Sequence, residues 1–199
     1  MMKRLFLGIA PTQAQQTQLS KLQEELNIDG KKVSPTNFHM TLAFLGLLDI
    51  HSQYKLQHMI DIRHSTSAHR WPAFSVTLDT LTLFRKPQVL CLSGKIEEPH
   101  LQLIIDDCRA LMLQIGMDIA ARESSEVPKN LIPQEPPIAF IPHVSLFRKA
   151  KYLPEQSPPL SLTLTPEKVH LYVSTSTPSG VQYQILQSWP LTEKEYPLG

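Results

Sequence analysis

The sequence predicts an α+β fold, and three observations carry that prediction. Segments with the strand period of two and segments with helical period follow one another irregularly, not in strict strand–helix–strand succession. Each half of the chain contains helix and strand elements and one tetrad of histidine, apolar residue, hydroxyl residue and leucine. These tetrads are His39-Met40-Thr41-Leu42 and His143-Val144-Ser145-Leu146. The length, 199 residues, suits a single domain spanning 1–199, with chain enough for two small lobes and a core. The faint internal repeat suggests two similar lobes facing each other.

The elements follow in order. Arg4 to Ala10 reads as a first strand. Thr12 to Leu26 reads as a helix, with Leu19, Leu22 and Leu26 at helical spacing and Gly30 closing it. The segment KKVSPTN reads as a turn, and Phe38 to Leu45 as a buried strand. Ser52 to Arg63 is a helix in which Leu56, Met59, Ile60 and Arg63 fit one face. Phe74 to Leu83 alternates cleanly and Val89 to Leu92 follows a turn at Arg85-Lys86-Pro87, so a hairpin is expected. Pro99 to Gly116 carries the stripe Leu103, Ile104, Cys108, Leu111 and Ile115, with proline in its first turn. Composition then shifts. Arg122 to Pro142 holds five prolines and reads as a long loop, either flanking a site or serving as a PxxP-type docking segment. Pro142 to Phe147, Leu160 to Leu164, Val169 to Val173 and Val181 to Leu186 complete the strands.

Composition narrows the function. The apolar fraction is 42% and the charged fraction 19%, ordinary for a soluble globular protein. A net charge of +1 argues against a protein that coats duplex DNA by bulk electrostatics, though not against a local basic site for a nucleotide or an RNA end. The opening MMKRLFLGIAPTQ has a basic pair and then an apolar run. That run ends at Pro11, short of the roughly 7–15 residues of a signal-peptide core, so a strand is the better reading. No run approaches the roughly 18 apolar residues of a membrane helix. Cys91 and Cys108 lack CxxC spacing and read as free, buried thiols of a cytoplasmic protein.

The tetrads carry the chemistry. In a strand, side chains two apart share a face. His39 and Thr41 therefore point one way, with Phe38, Met40, Leu42 and Phe44 toward a core. His143 and Ser145 likewise share a face opposite Val144 and Leu146. If the two strands meet, two imidazoles and two hydroxyls converge on one pocket. Imidazole titrates near 6.5, so one ring can donate a proton while the other accepts one, and two hydroxyls can hold anionic oxygens. That set fits a phosphodiester. The competing reading is a pair of partly buried structural histidines.

A longer series of matches goes beyond the tetrads. RLFLGIAP, SPTNFHMTLAFLG, TLTLFRKPQVLCL, PHVSLFRK and VHLYVSTSTPSGVQYQIL, in that order, resemble the successive motifs of the 2H phosphoesterases, and within them the RNA 2′,3′-cyclic phosphodiesterases formerly called 2′-5′ RNA ligases. The resemblance spans nearly the whole chain. It implies two similar lobes whose antiparallel sheets face a central cleft, with helices outside. It implies hydrolysis of RNA 2′,3′-cyclic phosphate ends to 2′-phosphates, with no metal or other cofactor. In this scheme His39 donates the proton to the 3′ leaving oxygen and His143 activates water. Thr41 and Ser145 bind the cyclic phosphate. Arg148 is expected at phosphate or RNA backbone, although strand parity places it opposite His143, so a bulge or strand end must redirect it. Phe84, in the predicted hairpin, is a candidate to stack on a base. The sequence departs from the family in three ways: Ser145 stands for the commoner threonine, Ile141 stands where arginine is frequent, and the 122–142 loop is long.

Other residues carry less. His51, His58, His64 and His69 match no familiar metal spacing and read as a solvated helix face; His100 and His170 stand apart. Lys31-Lys32 and Lys149 with Lys151 could form a basic rim for RNA or simply be solvated. Trp71 and Trp189 read as core anchors. The expectation is a monomeric cytoplasmic enzyme acting on RNA ends or small cyclic nucleotides and oligonucleotides, with no membrane partner. Its rivals are a 2′,5′-oligonucleotide phosphodiesterase or ligase, and a non-catalytic RNA- or nucleotide-binding protein.

Overall fold

Two antiparallel sheets form the frame. The computed structural model describes residues 2–66, 70–123, 126–127, 129, 139–155, 158–178 and 180–193. In chain order the elements are β1 (Lys3–Ile9), α1 (Gln13–Glu25), β2 (Lys31–Lys32), a 3₁₀ turn (Pro35–Asn37), β3 (Met40–Leu48), α2 (Ile50–His64), β4 (Val76–Phe84), β5 (Val89–Gly94), α3 (Pro99–Glu123), β6 (His143–Arg148), β7 (Leu162–Leu164), β8 (Lys168–Thr177) and β9 (Gly180–Pro190). The first sheet has the order β3-β1-β8-β9 and the second β2-β6-β5-β4-β7. The predicted α+β class and the paired antiparallel sheets are what the structure contains.

Local chemistry explains the elements. β1 lies between β3 and β8 and is buried from Leu5 to Ile9, which is why its alternation is lost in a continuous apolar run. α1 starts where Thr12 and Gln15 exchange hydrogen bonds as a capping box. α2 starts where Asp49 accepts from the Ser52 amide. α3 runs through Gly116 to Glu123, longer than its apolar stripe predicted. Its last turns are tied to α2 from the side: Asp118 pairs with Lys55, and Arg122 reaches Asp49 at 3.3 Å and donates to Ser52 Oγ at 2.8 Å. Most of the proline-rich 122–142 loop lies outside the described residues.

One core cluster runs through both sheets, joining Leu5, Leu7, Met40 and Leu45 of the first to Leu78, Leu90, Val144 and Leu146 of the second. The helices interlock the sheets: α3 packs against β3 of the first, while α1 packs against β6 of the second. Gln23 of α1 is buried and donates to the carbonyls of Val33 and Leu146, fixing β6 from beneath. Trp71 and Trp189 are core anchors, at 4% and 3% exposure, and each satisfies its indole N–H on a carboxylate, Asp107 and Asp61 respectively. Cys91 and Cys108 are free and buried. Among the described residues no helix is long and apolar enough to cross a membrane.

Three expectations need correction. The KKVSPTN segment is more than a turn: Lys31 and Lys32 pair with Arg148 and Phe147 as a two-residue strand before the 3₁₀ turn. The closing hairpin is longer than its apolar residues suggested, pairing from Lys168–Pro190 out to Thr177–Gly180, because ladder hydrogen bonds hold polar residues in strand as well as apolar ones. His64 is not solvated. It stands four residues after Ile60 on the buried stripe of α2, 8% exposed, with its ring edge-on to Trp71 at 4.8 Å. His51 and His58 are exposed as expected, and His69 lies outside the described residues.

Candidate active site

Both histidines are held by the same backbone device. His39 Nδ1–H donates to the Asn37 carbonyl at 2.7 Å, and His143 Nδ1–H donates to the Ile141 carbonyl at 2.7 Å. A carbonyl can only accept, so each neutral ring carries its proton on Nδ1 and has its lone pair on Nε2. Ile141 contributes its backbone to this contact, so replacing the family's frequent arginine leaves it intact. The sequence supports the first loop further: Pro35 starts the 3₁₀ turn, and Asn37 Nδ2 donates to the Val181 carbonyl of β9 at 2.7 Å.

Each hydroxyl residue is followed by a bulge, and the bulges decide what else reaches the cleft. In β3 the register against β1 skips Leu42 and then Leu45, where Gly46 takes φ +75°. Each skip reverses strand parity. The residues turned away from the core are then Thr41, Phe44 and Leu47, spaced by three instead of two. Phe44 is therefore not in the core as the simple alternation predicts; it is 51% exposed and lines the cleft. In β6 the register against β5 skips Leu146. Ser145 and Arg148 thereby share the cleft face, which is the redirection that Arg148 required.

Two cavities of about 230 and 260 Å³ share a wall formed by His39, Ser145, Arg148, Val181 and Tyr183. Thr41, Phe44, Phe6, Arg4 and Ser174 complete the second. The structure thus brings His39, Thr41, Ser145 and Arg148 together. His143, two residues before Ser145 on the same strand, packs against Phe84 with ring centroids 5.0 Å apart, so both residues flank the same face. The charges of His143 and Arg148 are felt at His39.

The environments of the two imidazoles differ. His39 is walled by Phe6 and Tyr183, each 4.8 Å away between centroids, with Tyr172 beyond at 6.1 Å. Burial lowers its pKa to about 4. The charges of His143 and Arg148 push the same way, against the bond to Asn37. Burial also pushes the Tyr172 phenol up to about 12 and the Cys91 thiol up to about 11. Cys91 is therefore a neutral thiol, its Sγ 3.7 Å from Ser145 Oγ, and not a nucleophile at neutral pH. Arg148 Nη2 donates to Tyr183 Oη at 3.0 Å, linking β6 of one sheet to β9 of the other. Sequence reading missed Phe6, Phe44, Tyr172 and Tyr183. Only Phe44 left a trace in sequence, the glycine two residues on that permits the bulge. Among the described residues no cluster of three or more histidine, cysteine or carboxylate side chains is arranged to hold a metal.

The fold has counterparts among known phosphoesterases. A family described as LigT like Phosphoesterase matches residues 9–91. Over that stretch, which holds the first of the two histidine tetrads, the chain is similar to this family. It is 25% identical to an RNA 2′,3′-cyclic phosphodiesterase of Thermotoga maritima, over 92% of each chain. Its fold matches a solved phosphoesterase with TM-score 0.74 at 23% identity, over 97% of this chain and all 100% of that one. It also matches LigT of E. coli in its apo form, with TM-score 0.71 at 24% identity, over 96% of this chain and 99% of that one.

Proposed function

We propose that this protein hydrolyses RNA 2′,3′-cyclic phosphate ends to 2′-phosphates by acid–base catalysis between His39 and His143. One observation carries the reading: both rings are fixed through Nδ1 to a carbonyl two residues upstream, which leaves Nε2 of each for proton transfer, and His39 lines one cavity with Thr41, Ser145 and Arg148. The Thermotoga maritima relative named for this reaction supports it, as do the structures of E. coli LigT with phosphate and with 3′-AMP. Water attacks phosphorus and gives its proton to one imidazole. The bond from phosphorus to O3′ breaks, and the other imidazolium protonates that oxygen. Thr41, Ser145 and Arg148 hold the non-bridging oxygens as their charge redistributes.

The family resemblance makes His39 the acid and His143 the base. The low pKa of His39 favours a second division, with His39 the base and His143 the acid, because a ring with a pKa of about 4 is neutral at pH 7. A phosphate anion bound beside His39 offsets the neighbouring positive charges and favours the first division. The pH dependence of kcat/KM, which reports the free enzyme, separates them. If His39 is the base, activity rises with pH through about 4–5 and holds toward neutrality. If His39 must enter protonated, activity already falls above that range.

The basic test is turnover of a dinucleotide ending in a 2′,3′-cyclic phosphate, with EDTA present, by wild type, His39→Ala and His143→Ala. Formation of a 2′-phosphate by the wild type and its loss in both variants is expected. Release of a 3′-phosphate, or turnover only of 2′,5′-linked oligonucleotides, would replace this reading with a rival one. Binding without turnover would leave a nucleotide-binding protein.

A further inference from the structure

The cleft continues beyond the groups used above. Its first cavity extends from Ser145 and Arg148 to Lys31, Lys32, Ser34 and Asn37. β2 sets this wall: Lys31 stands directly opposite Arg148 in the ladder, roughly 5 Å away between backbones. The Lys31 ammonium crosses toward the closing hairpin, 3.5 Å from where a side chain at Gly180 would begin. Among the described residues no carboxylate lines either cavity. On a chain with 19 basic and 18 acidic residues, that segregation makes a local positive field that net charge conceals. Among the described residues the second cavity adds one further cation to Arg148, Arg4, beside the rings of Phe6 and Phe44, and is the poorer place for a second anion.

We infer that the Lys31–Lys32–Ser34 end is a second phosphate site, which receives the phosphate on the 5′ side of the nucleotide whose cyclic phosphate lies at Ser145 and Arg148. The inference rests on the proposed reaction and adds a substrate class to it: ends that carry a further phosphate, in preference to a bare nucleoside cyclic phosphate. The geometry suits this. Lys31 follows Arg148 by one strand spacing, as the next phosphate follows the first along a nucleotide chain, and Lys32 lines the same cavity. Ammonium groups and the Ser34 hydroxyl are sequence-neutral donors, so the site would position the chain without reading its bases.

Three substrates test it on wild type and on the Lys31→Ala/Lys32→Ala double variant: a nucleoside 2′,3′-cyclic phosphate with a free 5′-hydroxyl, the same compound with a 5′-phosphate, and a dinucleotide ending in it. The wild type should favour the second and third over the first by roughly tenfold or more in kcat/KM, since a charge-assisted phosphate contact is worth about that factor. The double variant should lose that preference, with turnover of the first substrate unchanged within about twofold. The preference should also weaken with added salt. Equal wild-type kcat/KM for the first two substrates overturns the proposal, and so does a preference that survives in the double variant. A gain for the dinucleotide without one for the 5′-phosphate assigns the effect to the extra nucleoside and overturns it too. If no substrate is turned over, the phosphodiesterase reading itself fails. Calorimetric titration with a nucleoside 2′-phosphate, with and without a 5′-phosphate, then reads the second site directly. Tighter binding of the 5′-phosphorylated compound by wild type alone supports it, and equal binding overturns it.

Discussion

The two halves of the cleft share one backbone design and differ in what surrounds it. On each side an imidazole donates through Nδ1 to the carbonyl two residues back, a hydroxyl follows two residues on, and a bulge then turns a third side chain into the cleft. That third residue is Phe44 in the first half and Arg148 in the second. His39 is enclosed by Phe6, Tyr172 and Tyr183, whereas His143 leans on Phe84. On the proposed reaction, the difference teaches that the motif supplies two equivalent imidazoles and the surroundings make them unequal. Environment, more than sequence spacing, divides the work of acid and base.

The largest expected effect comes from removing either carrier. His39→Ala or His143→Ala should lower kcat by roughly 10²–10⁴ in a folded protein, because proton transfer is lost mainly in the transition state. The double variant should be little worse than the worse single one, as expected of groups that act as one unit. A loss below about threefold in either folded single variant would sink the two-histidine mechanism. The hydroxyls come next. Thr41→Val and Ser145→Ala should each cost roughly 10–10³ in kcat, while Ser145→Thr, which restores the commoner residue, should cost little. A Ser145→Thr loss as large as that of Ser145→Ala would mean the position is set by size and not by its hydroxyl.

The same asymmetry should appear in stability. His39 has a folded pKa of about 4, below the roughly 6.5 of an unfolded imidazole. Between those values the unfolded chain binds a proton that the folded chain refuses. Stability is therefore complete above about pH 6.5 and falls as pH drops toward 4, by roughly 3 kcal/mol for this one group. Burial also lowers the pKa of His64 and of His170, so both add to the same trend. Urea unfolding of wild type and His39→Gln at several pH values between 4 and 7 isolates the His39 share. Parallel curves for the two proteins would show that His39 is not desolvated as described.

Much of this was legible in the sequence because it is written in local periodicity. The order of strands and helices, the two tetrads, and Thr41 and Ser145 on the faces of their histidines all follow from a period of two. What was not legible depends on register. Nothing in FHMTLAFLG counts the residues of β1 opposite it, so the skips at Leu42 and Leu45 and the exposure of Phe44 are invisible until the strands pair. The parity conflict at Arg148 was readable, but its resolution at Leu146 was not. The enclosure of His39 is set by Tyr172 and Tyr183, more than 130 residues away in the chain, which only the return of β8 and β9 brings near. His64 departs from the expected solvated face for a simpler reason: its spacing from Ile60 puts it on the buried stripe of α2, where polarity alone does not keep a side chain in water.

Tyr183 allows the sharpest and smallest test, because it touches both halves at once. Its hydroxyl accepts from Arg148, and its ring stands edge-on to His39. Tyr183→Phe removes the first contact and keeps the second. Arg148 then loses one of the groups that fix its direction, so kcat/KM should fall by about 3–10-fold, in proportion to one hydrogen bond. The pH limb that belongs to His39 should stay where it is. Tyr183→Leu removes the ring as well and opens His39 to water. Its pKa should then climb from about 4 toward the ordinary imidazole value, and the limb should move with it. Titration of the His39 ring protons by NMR reads this shift without reference to rate. If Tyr183→Phe moves the His39 titration as far as Tyr183→Leu does, the phenol hydroxyl and its arginine set the pKa, and the aromatic wall does not. If neither variant moves it, Phe6 and Tyr172 alone keep His39 dry. The two halves of the cleft are then uncoupled at this residue.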